Sequence, residues 1–252
     1  MKKASLLAAA AVLLGAGSAS AQDWAGFYAG GNIASNSGES FQDATVGGTW
    51  ASESQALRDH VNGFFDGDLD PEGVSYGIQA GYNWQTQAGW VVGAELGYSV
   101  YDADDSGTRT AATVPFPSLS YTVTNATEIE SAWNARVNLG YDFGPALGYV
   151  VLGYTTADVS SDVAIASNGN YLKAASESDS VGGFTWGLGG AMRLGGPWSA
   201  RLEYTHTEFD DLSFQTVYQP GSAFAPPGSN YTEDYTQDLS LDAIQIGLNF
   251  HF

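Results

Sequence analysis

The segment Ala243–Phe252, AIQIGLNFHF, sets Ile244, Ile246, Leu248, Phe250 and Phe252 on one parity and Ala243, Gln245, Gly247, Asn249 and His251 on the other. A period of two with one fully apolar face is the mark of a strand whose two faces meet different surroundings. The pattern recurs along the chain. VSYGIQAGYNW aligns Val74, Tyr76, Ile78, Ala80, Tyr82 and Trp84 against Ser75, Gly77, Gln79, Gly81 and Asn83. WVVGAELGYSV, EIESAWNARVNLGYDF, GFTWGLGGAMRL and WSARLEYTHTEF do the same, and WAGFYAGGNIA supplies a first strand. YVVLGYTTADV is ambiguous in parity, and Val150, Leu152 and Tyr154 are taken as its outward set.

A soluble sandwich or lipocalin-like barrel also alternates with this period, so periodicity alone does not separate it from a membrane barrel. Three further features do. Lys2 and Lys3, the apolar run LLAAAAVLLGAG and the small residues Ala19–Ala21 form an export signal over 1–21, leaving a mature domain over 22–252. That run falls short of the ~20 residues a membrane helix needs, and no later stretch is longer, so any crossing must be made by a closed barrel. Eight strands are expected, with connections that alternate long and short, as in outer-membrane barrels with short periplasmic turns and long outer loops. Trp24, Trp84, Trp90, Tyr141, Trp198 and Phe252 lie near strand ends, where aromatic girdles belong. The expected fold is an all-β, eight-stranded antiparallel up-and-down transmembrane β-barrel with long extracellular loops, both termini periplasmic, in the outer membrane of a Gram-negative cell.

Composition removes other classes. A net charge of −20 repels nucleic-acid phosphates. The absence of cysteine leaves sheet closure and packing, not disulfides, to hold an exported chain. Thirty-two glycines and an aromatic content of 13% suit a tightly curved sheet.

WAGFYAGGNIA after a cleaved signal resembles the start of the small porin-like outer-membrane proteins of alphaproteobacteria, within the OmpA-like, opacity-type eight-stranded barrel family. ARLEYTHTEFDD resembles that family's penultimate strand, and IQIGLNFHF its C-terminal assembly signal, which assigns Ile244, Ile246, Leu248, Phe250 and Phe252 to recognition by the barrel assembly machinery. The resemblance implies fold and location more than activity. Unlike the OmpA pattern, the sequence stops at Phe252, and no periplasmic peptidoglycan-binding domain is expected to follow.

An eight-stranded barrel is only wide enough for side chains to fill it. Glu95, Glu128, Glu130, Arg136, Arg193, Arg201 and Glu203 share the inward parity. Only eight Lys and Arg occur, two of them in the export signal, so three arginines on this parity point to guanidinium–carboxylate pairs across the lumen. A polar plug is expected; a narrow gated pore is the alternative.

DGDLDPE spaces Asp66, Asp68, Asp70 and Glu72 like the opening of a calcium loop, but Pro71 and Gly77 stand where an EF-hand has glycine and glutamate. A looser site for divalent cations, bridging acidic loops to lipopolysaccharide, is an expectation; no resident cofactor is. His206 lies beside Thr205 and Thr207, with Glu208 two residues on, and no nucleophile, base and orienter set is recognisable, so no enzyme is expected. Trp50, Phe64, Phe65 and Phe224 are candidate contact anchors in loops, with folding back onto the barrel rim as the blander expectation. The sequence reading is a monomeric structural barrel for envelope integrity and surface presentation, contacting outer-membrane lipid and lipopolysaccharide; the alternatives are a narrow pore and a surface adhesin.

Overall fold

The computed structural model describes residues 23–113 and 115–252; the predicted export signal lies outside them. The chain forms β1 (Gly26–Gly48), a 3-10 turn (Thr49–Ser52), α1 (Gln55–Phe65), β2 (Gly67–Leu69), β3 (Glu72–Gln85), β4 (Trp90–Ala112), β5 (Ser120–Asp142) and β6 (Ala146–Ser167). β7 (Leu172–Gly195), β8 (Trp198–Phe209), β9 (Leu212–Gln215), β10 (Val217–Tyr218) and β11 (Tyr231–His251) complete it. β1, β3, β4, β5, β6, β7, β8 and β11 form an antiparallel ring of eight strands, closed by β1 on β11 from Tyr28↔His251 to Gly48↔Tyr231. Closure pairs every edge of the ring, which a lone sheet of this length would leave open.

One end carries the first and last described residues and three tight turns; at the other the strands run on far beyond the segments recognised from alternation. β4 continues to Ala112 and β5 begins at Ser120, so most of the polar stretch from Asp102 to Thr127, which lacks the apolar alternation of the recognised segments, is paired strand. β5 has 23 residues, whereas about 9–11 cross a membrane.

The reason these segments escape an apolar-outside reading is visible along β11. In its lower half Ile244, Ile246 and Leu248 face out and Gln245 and Asn249 face in. In its upper half Asp242, Asp238 and Asp234 face out while Leu241, Leu239 and Tyr235 are buried inside. Backbone parity is unchanged; the chemistry of the two faces has exchanged. An apolar surrounding below and water above produce this inversion, since apolar side chains go wherever water is excluded.

The upper interior is thus an ordinary hydrophobic core, including Val123, Ile129, Val159, Ile165, Phe209 and Tyr235. α1 closes it from within. Ser54 caps the helix, its Oγ accepting from Leu57 N at 3.3 Å, and Leu57, Val61 and Phe65 form a buried i, i+4, i+8 stripe. Trp50 and Phe65 are fully inside this core, while Phe64 and Phe224 pack at its edge, so these four side chains fold into the barrel.

Two sequence assignments are corrected here. Trp24 is buried inside the short-turn mouth, not on an outer girdle, whereas Trp84, Trp90, Tyr141 and Trp198 are exposed on the outer face. Glu128 and Glu130 face outward, not into the lumen. Counting by twos from Arg136 put them inside, but Ile129 pairs Val159 and Ser131 pairs Asp158, so Glu130 is an extra residue in a β-bulge. The bulge shifts the inward parity of β5 by one, and Ile129 takes the interior place. Val150, Leu152 and Tyr154 do face outward.

Candidate functional site

The lumen at the level of the apolar band is filled by four charged side chains on three strands. Glu95 (β4), Arg136 (β5), Arg201 and Glu203 (β8) are all buried. Arg136 bridges the two carboxylates: Nη2 bonds Glu95 Oε1, and Nη1 lies 2.5 Å from Glu203 Oε1. Arg201 Nη1 adds a bond of 2.7 Å to Glu95 Oε2. Two carboxylates and two guanidiniums balance in charge, and each carboxylate takes further donors, as buried ions require.

Those donors were not singled out from the sequence. Tyr28 OH donates to Glu95 Oε2 at 2.8 Å, Tyr149 OH donates to Glu203 Oε2 at 2.9 Å, and Gln245 Nε2 donates to Glu203 Oε1. Both tyrosines reach inward by lying flat across a glycine on the paired strand. A Cβ on Gly81 would sit 2.6 Å from the Tyr28 ring and hydroxyl, and one on Gly189 2.3 Å from Tyr149 Cζ. Register places Tyr28 opposite Gly81 and Tyr149 opposite Gly189, so these glycines are the floor on which the rings rest. The available signal was that both tyrosines fall on the inward parity of their strands.

Of the predicted lumen set, Glu95, Arg136, Arg201 and Glu203 come together. Arg193 faces inward but stands at the short-turn mouth, its guanidinium carbon 4.4 Å from the Trp24 ring centroid and Nη2 bonded to the Asp23 carbonyl. Glu128 and Glu130 are elsewhere, as described above. On the long-strand side of the network lies a polar cavity of about 40 Å³ bordered by Asn134, Thr155 and Thr207; on the short-turn side lies one of about 30 Å³.

A second buried charge sits in the upper core. Glu233 pairs with Lys173 Nζ at 2.6 Å and accepts from Trp50 Nε1 at 2.7 Å, from Thr216 Oγ1 at 2.5 Å and from Tyr171 OH. Lys173 also lies 4.7 Å from the Tyr218 ring. Burial, and then the Glu233 charge, push the Tyr171 hydroxyl far above its ordinary value. Trp50 is thereby tied from the 3-10 turn to β11, which holds the lid in the mouth.

The other candidates do not assemble. Asp66 accepts from Ala44 N at 3.0 Å at the end of α1, and burial raises its carboxyl. Asp70 is held through its backbone by Asp105, and no group of three or more His, Cys, Asp or Glu among the described residues is arranged to hold a metal ion. His206 Nδ1 is 3.0 Å from Asp242 Oδ1, which also accepts from Tyr204 OH at 2.6 Å. Ser37 is paired opposite Asp242 in the register of β1 and β11, and among the described residues no hydroxyl is hydrogen-bonded to the His206 imidazole. The residues of the predicted assembly signal lie on the outer face, Ile244, Ile246 and Leu248 well exposed and Phe250 packed against Trp198 and Phe252.

A sequence-family model described as outer membrane protein beta-barrel domain matches residues 6–252. The 31 kDa outer-membrane immunogenic proteins of Brucella melitensis and Brucella suis are each 25% identical over 186 residues, 73% of this chain and 69% of theirs. Among solved structures, the outer membrane protease OmpT of Escherichia coli is similar in fold, with a TM-score of 0.50 and 6% identity over 93% of this chain and 99% of that one. OprG of Pseudomonas aeruginosa gives a TM-score of 0.41 and 12% identity over 90% and 97%.

Proposed function

The chain belongs to the outer membrane β-barrel protein family, and from that premise we propose that it is a closed structural barrel of the outer membrane, serving envelope integrity and carrying a rigid, acidic, folded end at the cell surface. One observation carries this reading: the lumen is filled twice, by the Glu95–Arg136–Glu203–Arg201 network and by the apolar core capped by α1. The cavities on either side of the network have room for only one or two waters each. A solute path would require breaking both layers.

The long-strand end is read as extracellular and the chain ends as periplasmic, because its outward carboxylates, such as Asp104, Glu128 and Asp238, suit water. The Brucella relatives are outer-membrane immunogenic proteins, which supports a surface-exposed portion. Outer-membrane lipid around the apolar band, lipopolysaccharide at its upper edge with divalent cations bridging to the carboxylates, and recognition of the last strand by the assembly machinery are parts of the same proposal. So is the absence of catalysis.

The test is conductance of the refolded mature protein in a planar bilayer, after electrophoresis has confirmed a compact, heat-modifiable barrel. A folded protein that leaves the membrane silent is the expected result. Reproducible discrete steps would overturn the closed barrel and establish a narrow pore. The envelope role predicts that deletion of the gene increases leakage of periplasmic enzymes; unchanged leakage would shift the function to the surface end, as an adhesin.

A further inference from the structure

We propose that the cavity on the short-turn side of the charged network is a binding site for one small inorganic anion, a halide, built by Arg201, Trp24 and His251. Three observations converge on it. First, its walls carry buried donors without partners. Arg201 is nearly fully buried and spends only Nη1 on Glu95; its Nε and Nη2 have no hydrogen-bond partner among the described residues. Trp24 Nε1 and His251 Nδ1 are likewise buried and without a partner among the described residues, and all three residues border this cavity. Ser199 Oγ lies 2.9 Å from His251 Nε2; with the serine donating, the ring proton sits on Nδ1 and makes it a third donor. Buried N–H groups left unsatisfied are costly, and a cluster of them calls for an acceptor.

Second, no Asp or Glu among the described residues borders the cavity, so no carboxylate in its wall opposes an anion. The network beside it is neutral, two arginines against two glutamates, and Arg193 at the mouth makes no ion pair among the described residues. Arg193 at the mouth is faced by Asp142, on the inward parity of β5, and by Asp23, so this end of the lumen is close to neutral overall and the cavity's own donors are what favour an anion. Third, size selects the ligand. A volume of about 30 Å³ suits one monatomic anion or one or two waters better than a polyatomic anion such as sulfate. Asn138 Oδ1, buried and without a partner among the described residues, belongs to an amide that presents its NH2 group when turned over. The site stands whether or not the lumen conducts.

The probe is bromide. The full mature chain, refolded in detergent with sodium bromide and crystallised, should show an anomalous peak in the cavity within hydrogen-bonding distance of Arg201 Nη2. In solution, the unfolding midpoint should rise saturably with chloride or bromide and stay flat with gluconate at equal ionic strength. Trp24→Phe keeps an aromatic ring and removes one donor; half-saturation should then require at least about tenfold more halide. No bromide peak, or a midpoint that follows ionic strength alike with gluconate and halide, would mean that water alone fills the cavity and would overturn the proposal. If Trp24→Phe does not fold, the wild-type diffraction and salt series still decide it.

Discussion

Arg136 Nη1 lies 2.5 Å from Glu203 Oε1, spanning the lumen from β5 to β8, while the same guanidinium holds Glu95 on β4. These contacts tie the adjacent strands β4 and β5, where Glu95 stands opposite Arg136, to β8 across the ring. Arg136→Ala would leave Glu95 with Arg201 and strip Glu203 of its ion pair, leaving it only Tyr149 and Gln245. We expect a loss of about 3–5 kcal/mol, the usual consequence of removing one partner of a buried ion pair. Thermal unfolding of the refolded barrel in detergent measures this; a midpoint equal to wild type would refute a structural role for the network.

The Trp50 indole N–H donates to Glu233 Oε1 at 2.7 Å and anchors the 3-10 turn and α1 inside the upper mouth. Trp50→Phe keeps most of the packing and removes that bond to a buried charge, with an expected cost of about 2 kcal/mol. Glu233 retains Lys173, Tyr171 and Thr216, so the ring should survive while the lid loosens. Hydrogen exchange should then accelerate in residues 49–66 and stay unchanged in the lower strands. Uniform acceleration throughout would show that the lid is not a separate unit.

Asp238 on the outer face of β11 has its carboxyl raised by a hydrogen bond with Asp211, with the charges of Asp211 and Asp43 adding to it. A raised folded-state value means that the protonated form is favoured in the native barrel. The resulting stability is full below the ordinary value of 3.8 and is lost as pH rises through the raised value. Asp238→Asn should therefore stabilise the upper barrel at neutral pH, with the gain vanishing below 3.8. Unfolding midpoints of the two proteins across this range check the sign; a gain that grows on acidification would contradict it.

Leu248 and Glu128 both face outward, but one lies in the apolar band and the other above it. Leu248→Arg should lower stability in lipid vesicles by about 2–4 kcal/mol if it sits near the membrane midplane. Glu128→Arg should fold with little change, and it places an arginine opposite Asp104. Equal effects of the two substitutions would remove the assigned membrane boundary.

Much of the lower barrel was legible in the sequence because lipid and lumen impose opposite demands on alternate residues. Val74 to Trp84 and Ile244 to Phe252 show this without interruption. The ion network was legible for a related reason: arginines are so few that Arg136 and Arg201 on the inward parity needed acidic partners, and Glu95 and Glu203 provided them. Glu128 and Glu130 defeated the same reasoning. A bulge of one residue leaves no mark in the pattern when the residues around it are Glu, Ile, Glu and Ser, and parity beyond it reverses.

The sequence by itself determined a β chain with a banded apolar exterior, since hydropathy period and the lack of a membrane-length apolar run are properties of order along the chain. The tertiary structure decided what fills the barrel. Tyr28 and Tyr149 become ligands of the network only because Gly81 and Gly189 stand opposite them on other strands. Trp50 meets Glu233 across 183 residues of sequence. The upper strands, polar outside and apolar inside, look like loops until ring closure makes one of their faces an interior. Such pairings are set by register between distant strands, and register is a property of the closed sheet.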